Sequence, residues 1–322
     1  MILDDPLALS KARPEWSASN PMTRAQKGLV VTLAFVVAGG IWIAPWATAR
    51  LFILLSTIFY MVFTLYKFVL IRLSVARSSE IVISRAEITA LDDERLPIFS
   101  ILVPMYREAE SVRQVVEGIR AMDYPVHLKD VQLLLEEDDT ETRAAAAAID
   151  LPEGFRATVV PKSFPRTKPK ACNVGLGLAR GKYLVIYDAE DRPEPDQLKK
   201  AVLAFERVGP EVICLQSKLN FYNPRQNLLT RWFTAEYSAW FDLSLPGLSA
   251  MRAVIPLGGT SNHFVTEKLL ELLGWDAYNV TEDCDLGVRI HRAGYRTRML
   301  DTTTWEEACS SLGFWIRQRT RW

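Results

Sequence analysis

Two long apolar stretches lie near the beginning of the chain. No charged side chain occurs from Leu29 to Ala49, and after Arg50 the stretch from Leu51 to Tyr66 is again uncharged. A membrane-spanning helix needs roughly 20 apolar residues, or about 17 at the short end. Residues 28–72 are therefore predicted to form a transmembrane helical hairpin that turns near Pro45 and Arg50.

A secretory signal or a buried helix pair would account for these stretches less well. A secretory signal would start closer to the N-terminus, and a second span would not follow it directly. Two buried helices of a soluble core would also be apolar, but the absence of charged residues over such lengths favours membrane spans.

Basic residues flank the outer ends of the predicted hairpin. They are Arg13, Arg24 and Lys27 before it and Lys67, Arg72 and Arg77 after it, whereas the turn carries only Arg50. Because basic residues next to spans stay in the cytoplasm, residues 1–27 are predicted to form a cytoplasmic tail. The chain after residue 72 is predicted to face the cytosol. The sequence thus predicts a multi-pass protein of the cell membrane, with the lipid bilayer as a partner.

The pattern changes after a charged segment at 73–95, which we interpret as a linker. Short apolar runs typical of buried strands then alternate with residues at helical spacing. The predicted strands are 98–103, 131–135, 157–160 and 183–187, and the predicted helices include 112–122 and 141–149. This alternation predicts an α/β domain with a mainly parallel sheet over residues 96–322. Ligands of such sheets bind at the carboxyl ends of the strands.

Composition excludes several classes of protein. The 38 basic and 38 acidic residues cancel, which argues against a dedicated nucleic-acid binder. The four cysteines and three histidines lack zinc-like spacing, so reduced and mostly buried thiols are expected. No Walker A or GxGxxG loop occurs, so bound phosphates must be held by a metal ion and basic side chains.

Two carboxylate clusters follow predicted strands. Glu136–Asp139 follows the second strand, where adjacent negative charges need a compensating partner unless they form a solvated turn. Asp188–Asp191 follows the fourth strand, and carboxylates two positions apart can bind one hard cation, Mg²⁺ or Mn²⁺, or form a surface turn. Between the clusters lie Lys168, Lys170 and Asn173, which we interpret either as contacts for a diphosphate or a nucleobase or as a solvated basic turn.

Two further motifs lie nearer the C-terminus. Thr281–Asp283 opens a predicted helix, where Thr281 can cap the helix and Asp283 favours its positive end. In the functional interpretation, Asp283 is a general base that accepts a proton from an attacking hydroxyl. The last five residues form a QxxRW motif, in which Trp322 offers a stacking face and Gln318 and Arg321 offer hydrogen-bond donors.

In this order, the four motifs resemble the D, D, D, QxxRW signature of membrane-embedded family 2 glycosyltransferases. The resemblance is to the processive, cellulose-synthase-like group, which includes chitin and hyaluronan synthases. It covers about residues 97–322, and further matching segments are Val103–Glu108, Lys170–Asn173, Gly258–Asn262 and Trp275–Asp276. The resemblance implies a GT-A domain, a UDP-linked nucleotide sugar as donor, Mg²⁺ or Mn²⁺, and a glycan acceptor. The implied reaction is inverting transfer to a growing β-linked polysaccharide.

The resemblance also implies roles for individual residues. Asp138 or Asp139 contacts the nucleobase, Lys170 and Asp188 bind the donor, and Asp188, Glu190 and Asp191 form the metal site, with Glu190 favoured over Asp191. Asp283 is the catalytic base, with Glu282 beside it. The pyrophosphate and the acceptor sugar are bound by Gln318, Arg321 and Trp322.

Two other functions are compatible with parts of the pattern. One is a non-processive family 2 transferase that adds a single sugar to a lipid or protein acceptor, although the QxxRW motif favours polymer formation. The other is a sugar-1-phosphate nucleotidyltransferase, whose usual glycine-rich basic loop is absent here. Polymer-secreting relatives continue into further membrane helices, so missing C-terminal helices or additional membrane subunits are expected.

Overall fold

The computed structural model describes residues 5–76 and 79–320. The helices are α1 Ala8–Ala12, α2 Arg24–Ile43, α3 Pro45–Ala76, α4 Arg85–Thr89, α5 Val112–Arg120, α6 Thr140–Ala147, α7 Lys168–Gly177, α8 Gln197–Arg207, α9 Leu228–Ser238, α10 Leu245–Ala250, α11 Thr266–Glu271, α12 Glu282–Arg292 and α13 Leu312–Arg319. The strands are β1 Glu80–Ile81, β2 Phe99–Met105, β3 Lys129–Glu136, β4 Phe155–Val160, β5 Tyr183–Ile186, β6 Arg192–Pro193, β7 Val212–Phe221, β8 Asn262–Val265 and β9 Arg296–Glu306.

The nine strands of the described residues belong to one sheet, in the order β1-β9-β7-β8-β5-β2-β3-β4, with the short β6 paired to β9. The half from β5 to β4 is parallel, as is the half from β1 to β7. Between the halves, β8 is antiparallel to both of its neighbours. The prediction of an α/β domain with a mainly parallel sheet is confirmed.

The central strands carry apolar side chains on both faces. In β2, Ile101 and Val103 belong to one core, and Leu102 between them belongs to the other. Helices α5 and α8 cover the first core, and helices α7, α10 and α12 cover the second. Strands buried on both faces form continuous apolar runs, and for this reason the hydrophobic pattern predicted them.

The two apolar stretches form helices α2 and α3, both long and apolar enough to cross a membrane. Only Ala44 separates them, with φ −146° and ψ 69°. Because a residue before proline avoids the helical region while proline suits a first helical turn, α2 ends and α3 begins at Pro45. Arg50, predicted at the turn, therefore lies inside α3. Many apolar side chains of both helices face outward, including Phe35 and Trp42.

Where the structure describes it, at 73–76 and 79–95, the segment predicted as a linker is instead part of the folded protein. Helix α3 extends to Ala76, and β1 then pairs in parallel with β9. Ile81 and Ile83 are buried in the first core together with Ile88 of α4. The charged residues on either side of these isoleucines, together with Arg85 and Glu87 among them, obscured a short strand and a short helix.

We expect Gly287→Ala to destabilise the protein. A Cβ at Gly287, inside α12, would lie 2.2 Å from the carbonyl oxygen of Ile255. The helix or the loop would have to shift, which typically costs about 1–3 kcal/mol. Thermal unfolding followed by circular dichroism measures the effect.

The matched control for this prediction is Gly118→Ala in α5, where a Cβ would meet nothing within 4 Å. Replacing a helical glycine at an open position stabilises by about 0.4–1 kcal/mol. Equal melting temperatures for Gly287→Ala and Gly118→Ala would contradict the close approach of α12 to Ile255.

Candidate functional site

Three neighbouring strands end at the same edge of the sheet. Strand β2 lies between β3 and β5 and runs parallel to both. Glu108 follows β2, Glu136–Asp139 lies at the end of β3, and Asp188–Asp191 follows β5. Because parallel strands direct their carboxyl ends to one edge, the two predicted carboxylate clusters lie on the same side of the domain.

Within the first cluster, Asp138 and Asp139 have different surroundings. Asp139 is buried and accepts hydrogen bonds from the backbone N–H groups of Thr142, at 3.2 Å, and Arg107, at 2.5 Å. Although its burial opposes ionisation, these bonds lower the pKa of Asp139. Asp139 thus caps α6 and stabilises the left-handed backbone of Arg107, at φ 59°. Asp138 is more exposed and pairs with Arg166 at 2.6 Å.

Lys170 lies below the surface of the site rather than in it. Its side chain is fully buried, and its Nζ is 3.1 Å from Glu136 Oε2. The same Nζ donates to the carbonyl oxygens of Pro161 at 3.1 Å and Ser163 at 3.4 Å. Three acceptors use all three donors of an ammonium group. In this arrangement Lys170 compensates the charge of Glu136 and fixes the loop above it, and no donor of Lys170 is left for a ligand.

In the second cluster, the backbone turn separates the three predicted metal ligands. Asp191 points inward, where its Oδ2 accepts from the backbone N–H of Asp188 at 2.7 Å and from the hydroxyl of Thr260. Glu190 is exposed, and Asp188 is partly exposed. Among the residues that the structure describes, no three His, Cys, Asp or Glu side chains converge as a metal cage. The predicted three-carboxylate site therefore needs ligands from a substrate, as is usual for Mg²⁺.

Lys168 supplies the positive charge closest to this turn. It opens α7 and forms an ion pair with Asp188, and its Nζ donates to the carbonyl oxygen of Gly259 at 2.7 Å. Burial alone would lower the pKa of Lys168, but the carboxylates of Asp188 and Glu282 raise it well above its usual value. Lys168 therefore stays charged at any physiological pH.

The loop that contains Gly259 brings the later motif to the same place. A Cβ at Gly259 would lie 3.6 Å from Asp283 Oδ2, so this carboxylate lies against the backbone that Lys168 contacts. Burial raises the pKa of Asp283, and burial together with Asp283 raises the pKa of Glu282 to about 7. The predicted capping of α12 by Thr281 is absent. The hydroxyl of Thr281 donates a hydrogen bond to Asn279 Oδ1 at 3.1 Å instead.

The site contains more carboxylates than its cations compensate. Burial, followed by the charges of Asp188 and Glu190, raises the pKa of Glu108 to about 7. Burial and Asp188 likewise raise the pKa of Asp191 to about 7. Glu108 Oε2 is buried and has no hydrogen-bond partner within residues 5–76 and 79–320, and the carboxyl of Glu306 lies against Asp191, which raises the pKa of Glu306 further above its usual value than burial alone would. This excess of carboxylate charge beside the accessible side chains of Asp188 and Glu190 fits a hard divalent cation, Mg²⁺ or Mn²⁺.

The QxxRW motif is only partly within the described residues. Gln318 lies on α13, whereas Arg321 and Trp322 fall outside the residues that the structure describes. Helix α13 packs against α9 through Arg319, which pairs with Glu236 and has its guanidinium 4.9 Å from the ring centre of Phe233. The roles predicted for Gln318, Arg321 and Trp322 remain predictions.

The sequence motifs did not identify Glu108, Gly259 and Thr260 as individual members of the site. The rule that ligands bind at the carboxyl ends of strands could have identified Glu108. This residue closely follows the end of β2, as the two carboxylate clusters follow the ends of β3 and β5. Gly259 and Thr260 precede β8, whose antiparallel insertion between β5 and β7 no local pattern indicates.

We expect Lys170→Met to destabilise the fold rather than to abolish ligand binding directly. The change leaves the buried Glu136 without its cation, and breaking a buried ion pair typically costs about 3–5 kcal/mol. Thermal unfolding measures this effect. The control is Lys162→Met, because the Lys162 side chain is exposed and only its backbone N–H is bonded, to Glu137. An unchanged melting temperature for Lys170→Met would contradict the structural role.

Comparison with known proteins gives related sequences and related structures. The family described as "Glycosyltransferase like family 2" matches residues 97–322. A probable glycosyltransferase of Bacillus subtilis, YdaM, is 27% identical over 239 residues, which are 71% of this chain and 55% of that protein. The probable glucomannan 4-beta-mannosyltransferase 10 of Arabidopsis thaliana is 26% identical over 249 residues, 72% of this chain and 43% of that protein.

One structural relative is a mannosyltransferase of Pyrobaculum calidifontis, PcManGT, solved with GDP-Man and Mn²⁺. It superposes with a TM-score of 0.62 at 23% identity and covers 84% of this chain and 70% of that one. This similarity identifies the fold as GT-A-like. The chain spans about half the length of the two curated relatives. The family match extends over most of the chain, and the chain belongs to glycosyltransferase-like family 2.

Proposed function

We propose that this protein is a membrane-bound, inverting glycosyltransferase that uses a nucleotide sugar and a divalent cation. The supporting observation is the convergence of Lys168, Asp188 and Asp283 around the backbone of Gly259. A cation-compensated acidic site beside a half-buried carboxylate is suited to a diphosphate leaving group and a general base. The names of the relatives support a mannosyl donor, GDP-mannose, as the first to be tested beside the UDP sugars expected from the sequence.

In the proposed site, Asp188 and Glu190 would hold Mg²⁺ or Mn²⁺ together with the donor diphosphate. The cation supplies charge neutralisation for the departing diphosphate. Lys168 adds a fixed positive charge, which its contact with Gly259 keeps in place. Asp191 has a supporting role, since its hydrogen bonds to Asp188 and Thr260 hold the turn that carries the two ligands.

Asp283 is proposed as the base. It accepts the proton of an acceptor hydroxyl while that oxygen forms a bond to the anomeric carbon, and the bond from that carbon to the diphosphate breaks. One base without a covalent nucleophile gives inversion in a single displacement. The raised pKa of Asp283 suits this task, because a stronger base accepts a hydroxyl proton more readily. Glu282 lies beside it and also interacts with Lys168.

The donor base is proposed to bind near Asp138. Asp139 is occupied as a helix cap, whereas Asp138 is more accessible and pairs only with the flexible side chain of Arg166. A nucleobase N–H group can replace a surface ion pair of this kind at little cost, because such pairs contribute about 0–1 kcal/mol. The acceptor glycan and the pyrophosphate are assigned to Gln318, Arg321 and Trp322, and the QxxRW motif supports extension of a β-linked polysaccharide.

The protein is proposed to reside in the cell membrane, with α2 and α3 as spans and the catalytic domain in the cytoplasm. Both helices pass the length and composition requirements of spans. In addition, residues before α2 form hydrogen bonds with the catalytic domain that follows α3. Tail and domain are therefore on the same side, as two spans require.

We expect sugar transfer to depend on a divalent cation. Membranes that contain the full-length protein are incubated with radiolabelled GDP-mannose and a panel of UDP sugars, with Mn²⁺, Mg²⁺ or a chelator, and labelled glycan is measured. Transfer should occur from at least one donor and should stop with the chelator. Glu190→Gln should raise the Mn²⁺ concentration for half-maximal activity by about tenfold. This is the effect expected if the variant loses one metal-ligand interaction that contributes about 1.4 kcal/mol to Mn²⁺ binding.

Asp191→Asn is the matched comparison in this experiment. Because Asp191 points into the domain, its replacement should reduce thermal stability more than it changes the Mn²⁺ requirement. Undiminished transfer from the active donor in the presence of the chelator would contradict the metal site. A larger change in the Mn²⁺ requirement for Asp191→Asn than for Glu190→Gln would reverse the assignment of the ligands.

We expect Asp283→Asn to reduce kcat by about 10²- to 10⁴-fold, the usual contribution of a general base. Binding of the donor should persist, because Lys168 and Asp188 are unchanged. Turnover is measured with the best donor, and binding by the thermal shift that this donor and Mn²⁺ produce. Asp285→Asn is the control on the same helix, since Asp285 pairs with Arg289. Near-normal turnover of Asp283→Asn would exclude Asp283 as the base.

A further inference from the structure

The segment that precedes the first apolar helix is folded against the catalytic domain. We call residues 5–18 the N-terminal arm. It contains α1 and a 3₁₀ turn at Pro14–Trp16. Leu9 of α1 is only 2% exposed, which is the burial of a core residue rather than of a free tail.

Asp276 is the main contact of the arm. This aspartate is fully buried, and its Oδ1 accepts from the hydroxyl of Ser17 at 2.9 Å. Its Oδ2 accepts from the backbone N–H of Ala18 at 2.5 Å. The remaining hydrogen bond to this carboxylate comes from the backbone N–H of Tyr278 at 3.2 Å. Two of the three donors that stabilise a buried negative charge thus belong to the arm.

A second contact joins the arm to α7. Asn173 Nδ2 donates to the carbonyl oxygen of Pro6 at 2.8 Å and to that of Trp275 at 2.8 Å. Asn173 Oδ1 accepts from the backbone N–H of Trp275 at 2.8 Å. One amide therefore binds the arm and the residue before Asp276 together.

A third contact involves the end of α12. The guanidinium of Arg292, the last residue of α12, lies 4.8 Å from the ring centre of Trp16. Arg13 lies 5.2 Å from the same ring. Cation–π contacts of this kind contribute about 0.5–2 kcal/mol. The arm thus contacts α12 at its C-terminal end and, through Asp276, the loop that leads to its N-terminal end.

The loop 275–281 connects these contacts to the site. It runs directly into Glu282 and Asp283, the first residues of α12. The carbonyl oxygen of Ala277 in this loop accepts from the hydroxyl of Thr167 at 2.7 Å, and Thr167 precedes Lys168. The loop held by the arm is therefore attached to both the carboxylates and the lysine of the site.

We propose that the N-terminal arm positions the loop 275–281, and through it Asp283, for sugar transfer, with Ser17 and Trp16 as positioning residues. This inference rests on the proposed function for its effect on catalysis. Without the arm, the buried Asp276 keeps one backbone donor, and an under-bonded buried carboxylate favours a loop that opens toward water. Opening of the loop moves the start of α12 and with it Asp283.

The test compares Ser17→Ala with Ser10→Ala in the full-length protein. Ser10 is in the same arm, but its hydroxyl bonds only to the carbonyl oxygen of Leu7 in the same turn. Misplacing a catalytic group by 1 Å costs about 10²-fold in rate. We expect Ser17→Ala to lower kcat by roughly 10- to 100-fold, with the donor KM changed less than about threefold, and Ser10→Ala to retain turnover.

Two additional variants separate positioning from simple loss of stability. Trp16→Phe keeps an aromatic face for Arg292 and should retain kcat, whereas Trp16→Ala should lower it. Combining Ser17→Ala with Asp276→Asn should lower kcat little further than Asp276→Asn alone, because both remove the same contact. Full kcat in Ser17→Ala, or fully additive losses in the double variant, would overturn the proposal.

Hydrogen exchange provides a readout that does not need catalysis. In detergent-solubilised full-length protein, Ser17→Ala should increase deuterium uptake in residues 275–283, and Ser10→Ala should not. If no nucleotide sugar is ever turned over but this difference is found, the arm holds the loop and only the proposed function fails. If sugar is transferred and uptake in 275–283 is the same in both variants, the arm proposal is wrong and the function stands.

Discussion

The ion pair between Lys168 and Asp188 is the interaction around which the candidate site is organised. It brings the start of α7 to the turn after β5, and the additional bond from Lys168 to Gly259 brings in the loop before β8. Carboxylates surround this one ammonium group, and burial raises the pKa values of Glu108 and Glu282 to about 7. A partly buried acidic cluster is costly without compensation. The same imbalance makes the site suitable for a divalent cation, which can compensate several carboxylates at once.

Much of the catalytic domain could be predicted from the sequence because its central strands are buried on both faces. Continuous apolar runs predicted β2, β3, β4 and β5, and the rule that ligands bind at strand ends placed both carboxylate clusters on one edge. The strands after β5, which are β6 to β9, and the first strand β1 were not predicted. Of these, β1 and β8 are short and pair with strands far away in the chain, so neither has a local signal strong enough to identify it.

The roles of neighbouring polar residues could not be predicted from the sequence. Lys168 and Lys170 are two positions apart at the start of α7, so they are about 200° apart around the helix axis. One contacts Asp188 and the other Glu136, and the sequence does not indicate which faces the site. Similarly, Asp139 caps α6 while Asp138 remains accessible, a difference set by the backbone of the turn rather than by residue type. Arg321 and Trp322, outside the described residues, stay predictions.

The catalytic domain is attached to the two apolar helices at both of their outer ends, and this limits how it can move relative to them. At the end of α3, a Cβ on Gly247 of α10 would lie 2.4 Å from the carbonyl oxygen of Leu70, so the backbones of the two helices touch. Before α2, the N-terminal arm is bound to Asp276. One attachment would allow the domain to rotate, whereas two separated attachments fix its orientation. Helix α10 continues from α9, and α9 packs against α13 through Arg319. Helix α13, which carries Gln318, therefore has a defined position relative to the two apolar helices. Under the proposed function, a glycan bound at Gln318 would therefore lie at a constant place relative to the two proposed membrane spans.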